Sequence, residues 1–364
     1  MYICTLGSGP PTCRNPLCNM QIERKYNIRF DSKWPIEAIG NALSATQRVV
    51  VVAHQNADGD AVGATCGMGA MLRRVTAAKV TAMLPDGVPD DLCWIPGADS
   101  LLDASRHTDA CLAAIAEADL IVALDVNAFD RTRHLAQPLG ESRATKLLVD
   151  HHLHPDPSAF NLIVSEPEAS STCELVYWLG STLYGSNAFD TPAATALYTG
   201  ICTDTGTFAY TNDRPSLYLA TADLLGYGID PMRINRQIRN NMTARRMHFY
   251  GFALSERLTV DEAKGVALMT LSQTDLAQHG IQSHEVTGLI NEVMRLQAVD
   301  CAVLVREEAD SVRLSIRSKE HHDANLLAAS LFGGGGHMRA AGATSHLSLA
   351  DTVKKVKGAL GLEA

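Results

Sequence analysis

The 364-residue chain has no excess of basic residues, no CxxC pair and no apolar run approaching the ~20 residues of a membrane span. Each absence removes a class of function. With 31 Lys and Arg against 40 Asp and Glu, the formal net charge is −9, which argues against a long-duplex binder that works by broad phosphate neutralisation. A local basic patch still suits a short anionic substrate. The nine cysteines are scattered, and Cys66, Cys111, Cys173, Cys202 and Cys301 fall in apolar surroundings, where they read as buried free thiols of a reducing compartment. The start of the chain lacks the charged, apolar and small-residue segments of a secretory leader. These absences predict a soluble cytoplasmic protein, and 46% hydrophobic with 20% charged residues predicts a folded one long enough for more than one domain. There is no internal repeat and no low-complexity tract beyond one glycine run.

Residues 1–33 match nothing that follows: they carry Gly7, Gly9, Pro10 and Pro11 and no periodic apolar pattern. They read as a loose extension, with Met20 as an alternative start. Cys4, Cys13 and Cys18 lie there without a CxxC or a local histidine, so zinc is not expected. Beyond the extension, a helix over 34–44, a strand over 49–53, a helix over 61–74 and a strand over 80–84 make a first βαβ unit. A helix over 109–117 and strands over 120–124 and 146–149 extend it. Helical patterns over 172–184, 192–199, 216–227, 231–239 and 244–257 follow. From Gly265 the pattern changes to a strand over 266–271, a helix over 283–295, a hairpin of 302–306 with 311–317, and a last helix over 349–360. In the hairpin Val312, Leu314 and Ile316 alternate with Ser311, Arg313, Ser315 and Arg317, so one face is buried and one polar. The expected organisation is an extension (1–33), a parallel-sheet α/β domain (34–229), a helical connector (230–264) and a smaller α/β domain (265–364).

The apolar run of residues 49–53 breaks into HQNADGD, which sets His54, Asp58 and Asp60 on a turn at the carboxyl end of a strand. Asp60 also reads as a helix cap, but capping gives no reason for His54 and Asp58. Asp125 ends the next strand, and Asp150, His151 and His152 end the one after it. Adjacent histidines point in different directions, so one can bind metal while the other faces a substrate. Asp204 adds a carboxylate at a later break in structure. Mixed oxygen and imidazole donors suit Mn²⁺ or another ion of octahedral preference. Two such ions ~3.5–4 Å apart are a standard device for phosphoester cleavage, activating water and stabilising charge on the phosphorus oxygens. Glycines 333–336, followed by His337, let backbone N–H groups approach an anion, and Arg317 stands on a polar strand face.

HQNADGD, LDVN, VDHH, TDTG and GGGGH, in this order from about Val49 to Thr344, resemble the DHH superfamily of phosphoesterases with its associated C-terminal domain. The resemblance implies a two-domain α/β fold, with a parallel-sheet N-terminal domain and a smaller α/β C-terminal domain. It is nearer the compact branch of nano-RNases (oligoribonucleases) and pAp phosphatases than the larger RecJ-like exonucleases. It implies two divalent ions, one held by His54, Asp58 and Asp125 and the other by Asp60, Asp125, His151 and Asp204. Asp125 and His152 would be catalytic, with His152 at the scissile phosphate. Arg317, Ser318, Gly334, Gly335, Gly336 and His337 would hold substrate. The implied substrates are short RNA, dinucleotides such as pGpG, and 3′-phosphoadenosine 5′-phosphate (pAp). No membrane or long duplex is implied as a partner, and a homodimer is left open. A RecJ-like single-strand DNA exonuclease and a non-catalytic nucleotide-binding regulator remain the rival readings. Ala57 stands where the family usually has proline, which bears on loop rigidity and not on chemistry.

Overall fold

The computed structural model describes residues 33–209, 214–239 and 242–362. The expected extension, with Cys4, Cys13 and Cys18, therefore lies outside the described residues apart from Lys33. The chain divides into two units, Met1–Asn241 and Met242–Ala364.

The first unit opens with α1 (Ile36–Ala45), β1 (Arg48–Val52), α2 (Gly59–Val75), β2 (Lys79–Leu84), a short β3 (Leu102–Asp103) and α3 (Thr108–Ala116). It continues through β4 (Leu120–Leu124), α4 (Ala136–Glu141), β5 (Thr145–Asp150) and β6 (Leu162–Ser165). The helices α5 (Thr172–Tyr184), α6 (Thr191–Asp204), α7 (Pro215–Leu225) and α8 (Pro231–Arg239) follow. The strands form one six-stranded sheet in the order β3-β2-β1-β4-β5-β6, every pair parallel.

Successive side chains of a strand alternate between faces. Accordingly Val49 and Val51 share a buried cluster with residues of α2, α5 and α6, while Val50 and Val52 share another with Cys111, Ile115, Leu135 and Leu139. Both faces of the sheet are covered, which is why its central strands are unbroken apolar runs. The chain moves outward from β1 to β3, returns to β4 on the other side of β1, and moves outward again to β6. The order thus reverses between β1 and β4, and open parallel sheets bind ligands at the carboxyl ends beside such a reversal.

The second unit contains α9 (Ala244–Glu256), β7 (Leu258–Asp261), β8 (Val266–Leu271), α10 (Gln273–Gln278), α11 (Leu289–Val293), β9 (Cys301–Glu307) and β10 (Val312–Ser318). It ends with α12 (Ala324–Phe332), β11 (Gly335–His337), β12 (Ala340–Ser345) and α13 (Leu349–Leu360). Its six-stranded sheet is mixed: the order is β11-β12-β10-β9-β8-β7, with β8 and β9 parallel and the other pairs antiparallel. The expected alternation holds, since Val312, Leu314 and Ile316 are buried.

An expected helix differs from the structure. The single helix over 283–295 is instead a 3₁₀ turn (Ser283–Val286) and the short α11, because Gly288 between them adopts φ +91°. The glycine run, for which no element was expected, ends a helix and enters a strand. Gly333 closes α12 in a left-handed conformation, and Gly335 and Gly336 pair with Gly342 and Ala341 of β12. Cys66, Cys111, Cys173, Cys202 and Cys301 are free and buried. Among the described residues no helix is long and apolar enough to cross a membrane.

Candidate functional site

Every strand end beside the β1/β4 reversal contributes a polar side chain. His54 follows β1, and its Nδ1 lies 2.7 Å from the carbonyl of Gln55. That contact makes Nδ1 the protonated nitrogen and leaves Nε2 facing Asp125, 3.1 Å from Oδ2. Asp58 caps α2, its Oδ1 accepting from the amides of Asp60 and Ala61 at 3.0 Å each. Asp58 is thus the helix cap that sequence reading assigned to Asp60. The Asp60 carboxylate is buried and accepts from the first amides of α5, Thr172 N at 2.7 Å and Cys173 N at 2.9 Å.

Asp125 follows β4 with φ +56°, a left-handed conformation that Asp tolerates better than most residues. Its amide still bonds to Val149 O at 3.1 Å, and its Oδ1 accepts from the Thr172 hydroxyl at 3.0 Å. His151 follows β5, and its Nε2 lies 3.6 Å from Asp125 Oδ1, 3.5 Å from Asp204 Oδ2 and 3.9 Å from Asp60 Oδ2. Asp204 is the last residue of α6. His152 turns its ring edge-on to that of His151 and bonds through Nδ1 to Asp150 Oδ1 at 2.7 Å.

Burial alone would lower the pKa of His54, but the hydrogen bond and charge of Asp125, with Asp58, push it up to about 9. For Asp125 the penalty of burial is likewise outweighed, here by His54, His152 and His151, and its carboxyl is held well below the usual range. Asp60 goes the other way: burial and the charges of Asp125 and Asp204 raise it well above the carboxylate range. Such a carboxyl takes up a proton unless a cation shares its site. The donors fit that requirement. His54, Asp58 and Asp125 form one group whose ligand atoms lie within 4.8 Å of one another, and Asp60, His151 and Asp204 form a second. Asp125 lies beside both. A hard or borderline divalent ion matches each group, and the six residues expected as ligands converge.

Comparison with known proteins agrees with this geometry. The DHH family, N-terminal domain, matches residues 48–201, and the DHHA1 domain matches residues 264–361. A solved structure described as an exopolyphosphatase-related protein from Bacteroides fragilis superposes with a TM-score of 0.85 at 30% identity, covering 90% of this chain and 95% of that one. The chain belongs to the DHH family. It is also 28% identical over 311 residues to the bifunctional oligoribonuclease and PAP phosphatase of Thermus thermophilus, covering 84% of this chain and 87% of that protein. The protein of the same description from Bacillus subtilis is 25% identical over 309 residues, covering 83% of this chain and 90% of its own. This DHH protein is a hydrolase of phosphoester bonds.

In its DHHA1 unit, Arg317 is half-buried on β10, with one guanidinium nitrogen 3.0 Å from the carbonyl of Ile316. The Ser318 hydroxyl donates to Met338 O at 2.9 Å, and the Ser318 amide to Arg339 O at 3.1 Å, so this residue ties β10 to the β11–β12 turn. Packing accounts for two of the glycines. A Cβ at Gly334 would run into Gly342 O, and one at Gly336 (φ +147°) would lie 2.6 Å from Ala340 O. His337 pairs with Ala340 at the end of β11.

Sequence reading missed two residues of the first site. Thr172 binds Asp60 through its amide and Asp125 through its hydroxyl. Arg131 lies 3.1 Å from His152 Nε2 and 3.3 Å from the carbonyl of Asp125. The signals were a Ser-Ser-Thr run opening an apolar helix and an arginine six residues after Asp125.

Proposed function

We propose that this DHH protein hydrolyses short oligoribonucleotides, including dinucleotides such as pGpG, to 5′-mononucleotides, and removes the 3′-phosphate of pAp. The reading rests on one observation above the others. The Asp125 carboxylate, ionised and buried, stands between two groups of metal-ligating side chains, an arrangement for two divalent ions sharing one ligand, with Mn²⁺ the first choice. Bound there, such a pair supplies activation of water and stabilisation of charge on phosphorus oxygens. His54 and His151 would hold the ions through Nε2, since each Nδ1 is turned to a backbone carbonyl. Asp58, Asp60 and Asp204 complete the two ligand sets. Thr172 orients Asp60 and Asp125 from outside them. Arg317, Ser318, Gly334, Gly335, Gly336 and His337 are the residues of the second unit assigned to substrate recognition, in keeping with the substrates named for the two curated relatives.

The test is purified protein with Mn²⁺ offered a labelled dinucleotide, a long single strand and pAp side by side. Metal-dependent release of mononucleotides from the dinucleotide, or of phosphate from pAp, is expected ahead of any loss of the long strand. Preferential digestion of the long strand, or no hydrolysis of any of the three, would end this reading.

A further inference from the structure

The turn between His54 and Asp58, which stand in one group of candidate ligands, is held from both sides of β1. β1 pairs with β4 on one side and with β2 on the other. Beyond β4, Arg131 O accepts from Gln55 N at 2.8 Å. Just beyond β2, the Asp86 carboxylate accepts from Asn56 N through both oxygens, Oδ2 at 2.8 Å and Oδ1 at 3.0 Å. A carboxylate acceptor makes this the stronger kind of backbone contact. The Arg133 guanidinium, 4.0 Å from Asp86 Oδ2 and half-exposed, adds little. Asn56 needs an outside hold: its backbone stands at φ +53°, in the left-handed region, and the residue is exposed, so packing does not fix it. Its neighbours are anchored independently. His54 and Ala57 are buried, and Asp58 caps α2 with its Oδ1 3.9 Å from His54 Nε2. The Asn56 backbone therefore sets how imidazole and carboxylate stand to one another, and those two donors must close on one ion.

We infer that Asp86 is a positioning residue for the ion that His54, Asp58 and Asp125 would hold: by fixing the Asn56 amide it sets the imidazole of His54 against the carboxylate of Asp58. This rests on the two-ion reading of the site and not on the identity of the substrate. Among the described residues Asp86 belongs to neither of the two ligand groups, so it acts through the turn and not on an ion. The other group is set by other elements, Asp60 by the first amides of α5 and Asp204 by the end of α6, so the effect of Asp86 is confined to the first.

The experiment uses the full chain, freed of metal by chelation, and its Asp86→Ala, Asp86→Asn, Asp58→Asn and Asp86→Ala/Asp58→Asn variants. Mn²⁺ binding is measured by calorimetry, exchange of the Asn56 amide by NMR in the metal-free protein, and folding by urea. Asp86→Ala is expected to weaken one of two Mn²⁺ binding steps by about 10–100-fold, as loss of a residue that supports a ligand does, and to leave the other within about threefold. Asp86→Asn, whose side-chain oxygen can still accept from Asn56 N, should recover most of the loss. In the double variant the loss should fall short of the product of the two single ones, because both act on the same ion. The Asn56 amide, although the residue is exposed, should exchange slowly in the wild type and fast in Asp86→Ala. Wild-type affinity at both steps in a folded Asp86→Ala would overturn the inference. So would equal losses at both steps, losses that multiply in the double variant, or an Asp86→Asn variant no better than Asp86→Ala. If Asp86→Ala does not fold, the wild type decides: an Asn56 amide that exchanges at the rate of a free peptide removes the contact. A wild type with a single Mn²⁺ step counts against the two-ion reading, and the inference then stands or falls on whether Asp86→Ala weakens that step. A wild type that binds Mn²⁺ but hydrolyses neither a dinucleotide nor pAp counts against the proposed substrates and leaves the Asp86 comparison intact.

Discussion

Asp125 concentrates the chemistry of the site in one carboxylate: a left-handed backbone turns it toward β1, Thr172 fixes one oxygen and His54 the other. Asn tolerates the same backbone conformation, so Asp125→Asn removes charge with little strain. Turnover is expected to fall by at least about 10³-fold, because the proposed pair of ions would lose a shared anionic ligand. The fold should persist, and a circular dichroism melt beside a turnover assay checks both. A folded variant with wild-type turnover would remove the two-ion proposal. The residues that converge here were legible because all but Asp204, at the end of α6, cluster in short runs at strand ends, where a carboxylate or imidazole interrupts apolar sequence. Thr172 was not, since its partners stand 112 and 47 residues away and a threonine opening a helix has an ordinary explanation. The glycine run was legible as a motif but not as packing, because the contacts of Gly334 and Gly336 are with β12, which only the fold brings near.

Among elements, the seat of Asp204 depends on how closely α2 and α6 approach. Gly59, Gly63 and Gly67 recur every four residues along one face of α2, and a Cβ at Gly63 would lie 2.6 Å from Ala196 O and 3.1 Å from Cys173 Sγ. Backbone cannot yield as a side-chain tip does. Gly63→Ala is therefore expected to push the helices apart, costing about 1–3 kcal/mol as overpacking does. Divalent-metal affinity should fall with it, because Asp204 at the end of α6 moves away from His151. Urea unfolding and metal titration of the variant test this; unchanged affinity would show that the seam does not set the site.

In the second unit Asp300 ties down the loop after β10. Its carboxylate accepts from His322 Nδ1 at 2.7 Å, His321 Nδ1 at 3.2 Å, and the amides of Glu320 and His321 at 2.8 and 3.0 Å. Partial burial opposes ionisation, but these donors win and hold the carboxyl below its usual range. A depressed carboxyl stabilises the fold above its unfolded pKa of ~3.9 and loses that contribution as pH falls through the folded value. Asp300→Asn should thus cost about 2 kcal/mol at neutral pH, with the gap to wild type closing below about pH 4. A gap that is constant with pH, measured by urea unfolding, would mean that the charge contributes nothing. At this scale β1, β2, β4, β5, β8, β9 and β10 were readable, whereas β3, β6, β7, β11 and β12 and the short helices α4, α10 and α12 were not. Of these, β3 and β6 are edge strands, short and mostly half-exposed, without the apolar run that marked β1, β4 and β5.

For the whole molecule, the balance of charge and the size of the second unit bear on substrate length. The division into a parallel-sheet unit and a smaller mixed-sheet unit was visible in where the apolar period changes, near Gly265, although the structural boundary falls at Met242 and places α9 with the second unit. That unit is a single six-stranded sheet with its helices, so the proposed grip on substrate comes from a few residues around Arg317 and His337. Each added nucleotide brings another phosphate into the field of a protein with a formal charge of −9, which repels it unless a basic side chain answers. Longer strands thus gain little binding and meet more repulsion. We expect kcat/KM on RNA to be best at two to a few nucleotides and roughly tenfold or more lower on long strands at low ionic strength, where an electrostatic penalty is largest. Added salt screens the repulsion, so part of that discrimination should fade as ionic strength rises toward 1 M, where the screening length is ~3 Å. The measurement is a length series of single-stranded RNA at two salt concentrations. A kcat/KM that rises with length, above all on single-stranded DNA, would show that binding is built for long strands and would favour the exonuclease reading.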